Sequence, residues 1–396
     1  MTDDRIQQAI ELMTRFAERT GDGKRYLWTD AFAVTTYLGL ALATRDQQFI
    51  DIARALIDQV HRVLGRHRPD AARSGWISGR SESDGETHPT AGGLRIGKPL
   101  NERPPQEAPN ERAEWDRDGQ YFHYLTKWMH ALDQTTRVTG DLWYNCWAVE
   151  LADTAHRAFV YALLDGSRRM YWKMSIDLTR PLVPSMGQHD SLDGYVTCIQ
   201  LRETPRPPES CPAPALDSVI ADFGSMIDRE RLATDDALGI GGLLMDAYRM
   251  AQLGRQDQLL EASLEAALAG LDEYAGWNLQ TPLHARRRLA FRELGLAIGL
   301  AAVERMGAVV EPPLRPLIDE LGRFTPLRSA LERFWLQPES QQAESWQEHA
   351  DINTVMLATS LVPDGFLTLH RPRGPGVSFL NPPEGERGPR QASHSA

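Results

Sequence analysis

Two short stretches of this 396-residue chain concentrate the side chains that do chemistry. The first is Trp115-Asp116-Arg117-Asp118-Gly119-Gln120-Tyr121-Phe122-His123-Tyr124. It brings carboxylates, an amide, an imidazole and aromatic rings together at the start of an apolar run. On a helix Tyr121 and His123 point about 200° apart, so these groups cannot all meet one ligand. The spacing predicts Asp118, Gln120 and Tyr124 on the side of a cavity. The second stretch, Ser185-Met186-Gly187-Gln188-His189-Asp190-Ser191-Leu192-Asp193-Gly194, sets His189 and Asp193 one helical turn apart, so a carboxylate could orient the imidazole. Its glycines would let the backbone approach a ligand closely. Aromatic faces stack on sugar rings, and carboxylates and amides bind their hydroxyls, so convergence of these types in a pocket points to a carbohydrate. Cleavage of a glycosidic bond needs two carboxyl groups, one protonated and one ionised. Asp30, Asp118, Asp190 and Asp236 are the candidates. Proton transfer beside a carbonyl would use two imidazoles instead, and His189 and His349 are placed for it.

The elements that must position these residues are helices. Apolar residues recur at spacings of three and four through most of the chain. Segments near 3–20, 29–43, 47–64, 120–138, 142–163, 189–202, 214–231, 235–253, 257–275, 286–306, 315–335 and 345–360 read as twelve helices. Residues 65–119 break the pattern with Gly, Pro, Arg and Glu. A loop that long in a compact domain is functional or disordered, and the expectation here is a rim loop or lid. Arg169 to Leu178 alternates and suits a short β-hairpin. The Pro-, Gly- and Ser-rich end from 371 to 396 reads as a disordered tail behind a single domain, 1–370. Gly239-Ile240-Gly241-Gly242 lies inside a helical pattern with no preceding strand, so it reads as close helix packing.

Three places repeat a helix end, a tight turn with an acidic residue, and a new helix: Thr44-Arg45-Asp46-Gln47-Gln48-Phe49, Thr139-Gly140-Asp141-Leu142-Trp143 and Leu253-Gly254-Arg255-Gln256-Asp257-Gln258-Leu259. Asp is a good N-cap, and short turns of this kind join antiparallel neighbours. Twelve helices paired by such turns, with Tyr26-Leu27-Trp28-Thr29-Asp30-Ala31-Phe32 opening the first pair, resemble the six-hairpin glycosidase-like (α/α)6 toroids. The resemblance spans nearly the whole chain as architecture and points to no single family. It implies an all-α fold with an inner ring of six helices inside an outer ring, and an active site at the N-terminal ends of the inner helices. Those ends would then supply Trp28 and Asp30, then Trp115, Asp118, Gln120 and Tyr124, then His189, Asp190 and Asp193. Asp236, Arg288, and lastly His349 and Asp351 complete the rim. Asp30, Asp118, Asp190, His189 and His349 are the expected catalytic groups, and the others bind substrate.

Plainer explanations compete. Asp at a helix start caps free backbone donors without any catalysis, which is the better account of Asp235. Capping does not explain Trp28, Trp115, His189 and His349. Three functions follow: a glycoside hydrolase first, then a sugar epimerase of the N-acylglucosamine 2-epimerase kind, then a toroid that binds a carbohydrate or protein without catalysis. The epimerase ranks second because the His-x-x-Glu pattern expected on a middle inner helix is missing. The paired acids Asp235-Asp236 do not form the aspartate-rich motif of a terpenoid cyclase.

A net charge of -11 and no long basic stripe argue against a nucleic acid partner. No run approaches the roughly 20 apolar residues that span a bilayer. Three cysteines, Cys146, Cys198 and Cys211, match no zinc pattern and read as free thiols of a reducing cytosol. With no signal-peptide pattern at Met1-Thr2-Asp3-Asp4, the expected location is cytoplasmic. No metal or cofactor is expected, and the expected partner is a small-molecule or oligosaccharide substrate.

Overall fold

In a computed structural model the chain is described over residues 2–21, 23–108, 110–205, 211, 215–278 and 284–371. Among these residues twelve helices form two concentric rings. The inner helices are α2 (Leu27–Thr44), α4 (Phe122–Thr139), α6 (Asp190–Glu203), α8 (Ala237–Gln252), α10 (Ala290–Met306) and α12 (Ala350–Leu361). Each packs on the next, and α12 returns to α2, which closes the ring. The outer helices α3 (Gln47–Leu64), α5 (Trp143–Phe159), α7 (Asp217–Ser225), α9 (Gln258–Asn278) and α11 (Thr325–Leu336) each pack on the preceding inner helix. The last inner helix takes α1 (Thr2–Thr20), from the other end of the chain, as its outer partner. The fold is the expected helical toroid.

Sequence explains which helix goes where. In α2 every residue from Leu27 to Ala41 is buried, as a helix without a polar face must be. By contrast α3 buries one stripe, including Ile50, Ala53, Ile57 and Val60. The repeated turns work as caps. Asp46 accepts from Gln48 N at 2.9 Å, Asp141 from Trp143 N at 3.1 Å and Asp257 from Leu259 N at 3.0 Å. The glycines of α8 do serve close packing: a Cβ on Gly241 would lie 2.3 Å from the carbonyl oxygen of Gly295 on α10.

Several boundaries differ from expectation. The helix expected over 142–163 stops at Phe159, and Val160–Ala162 (β2) instead pairs with Arg168–Met170 (β3). The hairpin expected over 169–178 therefore divides between two sheets. Gln120–Tyr121 (β1) pairs with Lys173–Met174 (β4), which pairs with Pro181–Val183 (β5). The helix expected over 315–335 splits into Arg315–Gly322 and α11, where Pro326 lacks the N–H that continuation would require. The helix expected over 214–231 ends at Ser225, and those expected over 286–306 and 345–360 settle into α10 and α12 only at Ala290 and Ala350.

The segment expected as a rim loop has defined structure at its described residues. It carries short helices at Glu82–Thr87 and Glu111–Glu114 and isolated bridges Arg66↔Trp76 and Leu100↔Arg117. It docks on the ring where Leu27 N donates to Ile96 O at 3.0 Å. The free-thiol reading needs correction: Cys146 and Cys211 form a disulfide, and only Cys198 is a free thiol. Contact between residues 65 apart in sequence carries no local signature, and the bond removes the thiol argument for a reducing compartment. The expected disordered tail lies outside the described residues, apart from Arg371.

The far end of the ring from the helix starts is closed by residues 363–370. Phe366 stacks on Phe32 at 4.7 Å. Gln134 Nε2 donates to Gly365 O and Thr368 O at 2.8 and 3.0 Å, and Arg137 Nη1 donates to His370 O at 3.0 Å. Asp133 Oδ2 accepts from Arg137 Nε and Gln200 Nε2, both at 2.6 Å.

Candidate active site

At the opposite rim the N-terminal ends of α2, α4, α6, α8 and α10 surround a cleft of about 370 Å³. Its floor belongs to the first turns of α4 and α6. Asp193 accepts from Lys127 Nζ at 2.7 Å, from Arg249 Nη2 at 2.9 Å, and from the Thr126 hydroxyl. Burial pushes its carboxyl pKa up, but Lys127 and Arg249 outweigh burial and hold it well below the usual carboxylate range. One turn earlier, Asp190 has the opposite character. Burial, reinforced by the neighbouring Asp193 charge, raises its pKa to about 7. A hydrogen bond from Gly187 N at 3.2 Å and the Lys127 charge oppose the shift without overcoming it. The cleft thus holds a carboxyl that keeps its proton near neutrality beside one that stays ionised.

One wall is aromatic. Trp28 lies 5.9 Å from His123, and His123 stacks at 5.9 Å and 14° on Trp172, which sits between β3 and β4. Burial lowers the His123 pKa to about 3, so its ring is neutral. His123 Nδ1 and Trp28 Nε1 are buried with no hydrogen-bond partner among the described residues. The other wall comes from α8 and α10. Asp236 caps α8 through Gly239 N at 3.0 Å and pairs with Arg292. Asp246 pairs with Arg249, and burial raises its pKa against that attraction. His189 Nε2 donates to Leu232 O at 2.7 Å, which leaves Nδ1 as the acceptor, and burial lowers its pKa.

Of the expected site residues, the cleft gathers Trp28, His189, Asp190, Asp193 and Asp236. The others are placed elsewhere. Asp118 was expected to face the cavity but is fully buried under the rim loop. It accepts from Arg95 Nη1 at 2.5 Å, Gly97 N at 2.9 Å and Arg68 Nη1 at 3.3 Å. Gln120 is buried beside it, accepting from Leu94 N and donating to Gly92 O and Ile176 O. Both serve to satisfy the backbone of a Gly-rich loop. Tyr124 stands behind Trp28 and shares a 2.7 Å hydrogen bond with the Tyr26 hydroxyl. Asp30 is buried outside the cleft, 3.5 Å from Arg25, and accepts from Tyr26 N at 3.0 Å. Burial raises its pKa to about 7 despite Arg25.

The last helix start is turned to structural work as well. His349 meets Phe291 edge-on at 5.6 Å, and Asp351 pairs with Arg19 at 2.9 Å. Arg288 pairs with Glu293 and lies 3.9 Å over the Phe334 ring. Trp115 is on the rim outside the cleft, 53% exposed. The cleft also holds residues that sequence reasoning did not assign to it: Lys127, Trp172, Asp246 and Arg292. Asp246 and Arg249 left a legible signal, since an acid and a base three residues apart within an apolar inner helix must be paired.

A second cleft of about 610 Å³ lies against α5, lined by Ser78, Arg80, Glu150, Asp153 and Arg157 among others. Among the described residues no group of three or more His, Cys, Asp or Glu could hold a metal ion, and no helix is long and apolar enough to cross a membrane.

No family model and no curated protein matches this chain. Among solved structures it is similar to a selenomethionine derivative of the GH76 α-mannanase of Bacteroides thetaiotaomicron, with a TM-score of 0.54. The match covers 93% of this chain and 98% of that one at 8% identity. Identity that low speaks for architecture alone. The chain has the fold of the six-hairpin glycosidase-like toroids.

Proposed function

We propose that this protein is a carbohydrate-active enzyme, a glycoside hydrolase that works in the cleft at the helix starts. One observation carries the reading: Asp190, with its pKa raised to about 7, stands one turn from the ionised Asp193. Carboxyl groups whose environments push their pKa values apart are suited to divided acid and base roles. Asp190 would protonate the departing glycosidic oxygen as its bond to the anomeric carbon breaks, and a water molecule would add to that carbon and return a proton to Asp190. Asp193, fixed by Lys127 and Arg249, would balance the positive charge that develops on the sugar ring. Trp28 and Trp172 offer faces for the ring, and Asp236 and Arg292 can bind hydroxyls at the mouth. The mannanase supports this reading through its fold only.

Proton NMR in D2O with a panel of mono- and oligosaccharides tests it. New anomeric signals from the wild type, absent with Asp190→Asn, are the expected result. Silence across the panel would sink the carbohydrate reading.

A second reading rests on the two imidazoles in the cleft. His123 and His189 could move a proton at a sugar carbon, with His123 in the place expected of His349. Loss of a C2 proton signal together with a changed sugar would select epimerisation over cleavage.

A further inference from the structure

We propose that the aromatic wall of the cleft continues onto the rim as an outer subsite made by Trp172 and Trp115, so that the ligand is a sugar chain of several rings. The inference rests on the carbohydrate reading and adds the size of the ligand to it. Trp172 lines the cleft, and Trp115 meets it edge-on at 5.7 Å, further out. Rings therefore follow one another from Trp28 through His123 and Trp172 to Trp115 without a break.

Trp115 is the exposed end of this track, and what surrounds it is firmly built. Glu114, the residue before it, is 5% exposed and accepts from Arg103 Nε at 2.6 Å and Lys173 Nζ at 3.1 Å. Lys173 is fully buried and also donates to the carbonyl oxygens of Glu114 and Arg117, at 2.7 and 2.9 Å. The backbone on both sides of the indole is thus tied to β4, the strand that follows Trp172. Burying three charged side chains is costly unless each is paired, and here the pairing fixes the position of a tryptophan that is itself half in water. Next to it Leu100, 52% exposed, donates its N–H to Asp116 O at 3.1 Å. An exposed apolar surface at the mouth of a polar cleft marks a place where something binds. Continuity with the cleft makes that occupant the part of the ligand that extends beyond it. The ring planes of Trp115 and Trp172 stand at 78°, so a chain that uses both must turn between them.

Calorimetric titration of the full chain tests this, with linear gluco-, manno-, galacto- and xylo-oligosaccharides of one to six rings and with Asp190→Asn present in every sample, wild type at Trp115 included, so that bound chains are not cleaved. Affinity with Trp115 in place should rise with length in the series that binds. Trp115→Ala should remove that gain, on the order of tenfold at the longest chain, and Trp115→Phe should keep most of it. An unchanged affinity for the longest chain would overturn the proposal, as would an equal loss at every length. Loss of self-association in Trp115→Ala, with no change in sugar binding, would also overturn it and assign the indole to a protein contact. If no saccharide bound the wild type at any length, the carbohydrate reading itself would fall, a result distinct from a missing length dependence.

Discussion

The two ends of the helical ring carry the same residue types to different ends. Helix α4 contributes to both. Near its start His123 and Lys127 face the cleft. About 9 to 21 Å further along, at a rise of 1.5 Å per residue, Asp133 and Arg137 lie in the closed end. There Asp133 pairs with Arg137, Arg137 also donates to the carbonyl of residue 370, and His130 and Gln134 donate to those of residues 365, 366 and 368, while Asp133 Oδ1 and Gln134 Oε1 stay buried without a partner among the described residues. At the open end, among the described residues, Asp190 accepts only from Gly187 N, and His123 Nδ1 and Trp28 Nε1 have no partner; all three side chains line the cleft. Buried polarity by itself therefore does not mark a site in this fold. Polarity left incomplete in side chains that line a cleft does, because such a group can still reach a ligand.

The largest effect should come from breaking the open end. Asp190→Asn is expected to lower kcat by about 10²- to 10⁴-fold, the usual contribution of a general acid, while the circular dichroism spectrum is unchanged. At the closed end the failure should be of another kind. Arg137→Ala leaves Asp133 buried without its cation and should cost about 3–5 kcal/mol of unfolding free energy in urea titrations. Activity per folded molecule should stay near wild type. A variant that behaved the other way round would dissolve the distinction between the ends.

A smaller effect separates two aspartates of equal acidity. Burial raises both Asp30 and Asp190 to about 7. Each binds its proton more tightly in the folded than in the unfolded state. The stability each contributes is therefore complete below the ordinary value of 3.8 and is lost as pH rises through about 7. Asn at either position should raise the melting temperature at pH 8 relative to wild type, with little gain at pH 4. Only the Asp190 change should remove catalysis, and wild-type activity should fall above about pH 7 as its proton leaves. If Asp30→Asn also abolished activity, the cleft would have to be redrawn to include it.

The ring itself was legible because its signals are local. Helix periodicity and the acidic turns at Asp46, Asp141 and Asp257 are properties of a few neighbouring residues, and all three carboxylates cap as expected. The orientation of the rim residues was less so. Asp118 and Gln120 look identical in sequence whether they face a ligand or a loop. What decides the matter is residues 92–97, more than 20 positions away, whose backbone donors and acceptors they satisfy. A Cβ on Gly93 would lie 2.0 Å from the Gln120 amide oxygen, so loop and side chain were fitted to each other. The Cys146–Cys211 bond was hidden for the same reason, as a contact between distant segments.

The packing of α1 on α12, with Arg5 also reaching α11, gives the ring an order of assembly. Arg5 reaches Glu332 at 2.8 Å and the carbonyl of Ser360, and Arg19 reaches Asp351 and Thr354, across more than 320 residues. Five helical pairs can form from neighbouring segments as they emerge from the ribosome, but the sixth waits until residue 361 is available. Contacts of such sequence separation are slow to form, because a very long loop must close before they return any energy. The ring should thus fasten like a belt, with α1 held in reserve until the buckle, α12, arrives. Once fastened, it could be cut and rejoined at another outer turn, such as Leu253-Gly254, with the old ends linked and the circle intact.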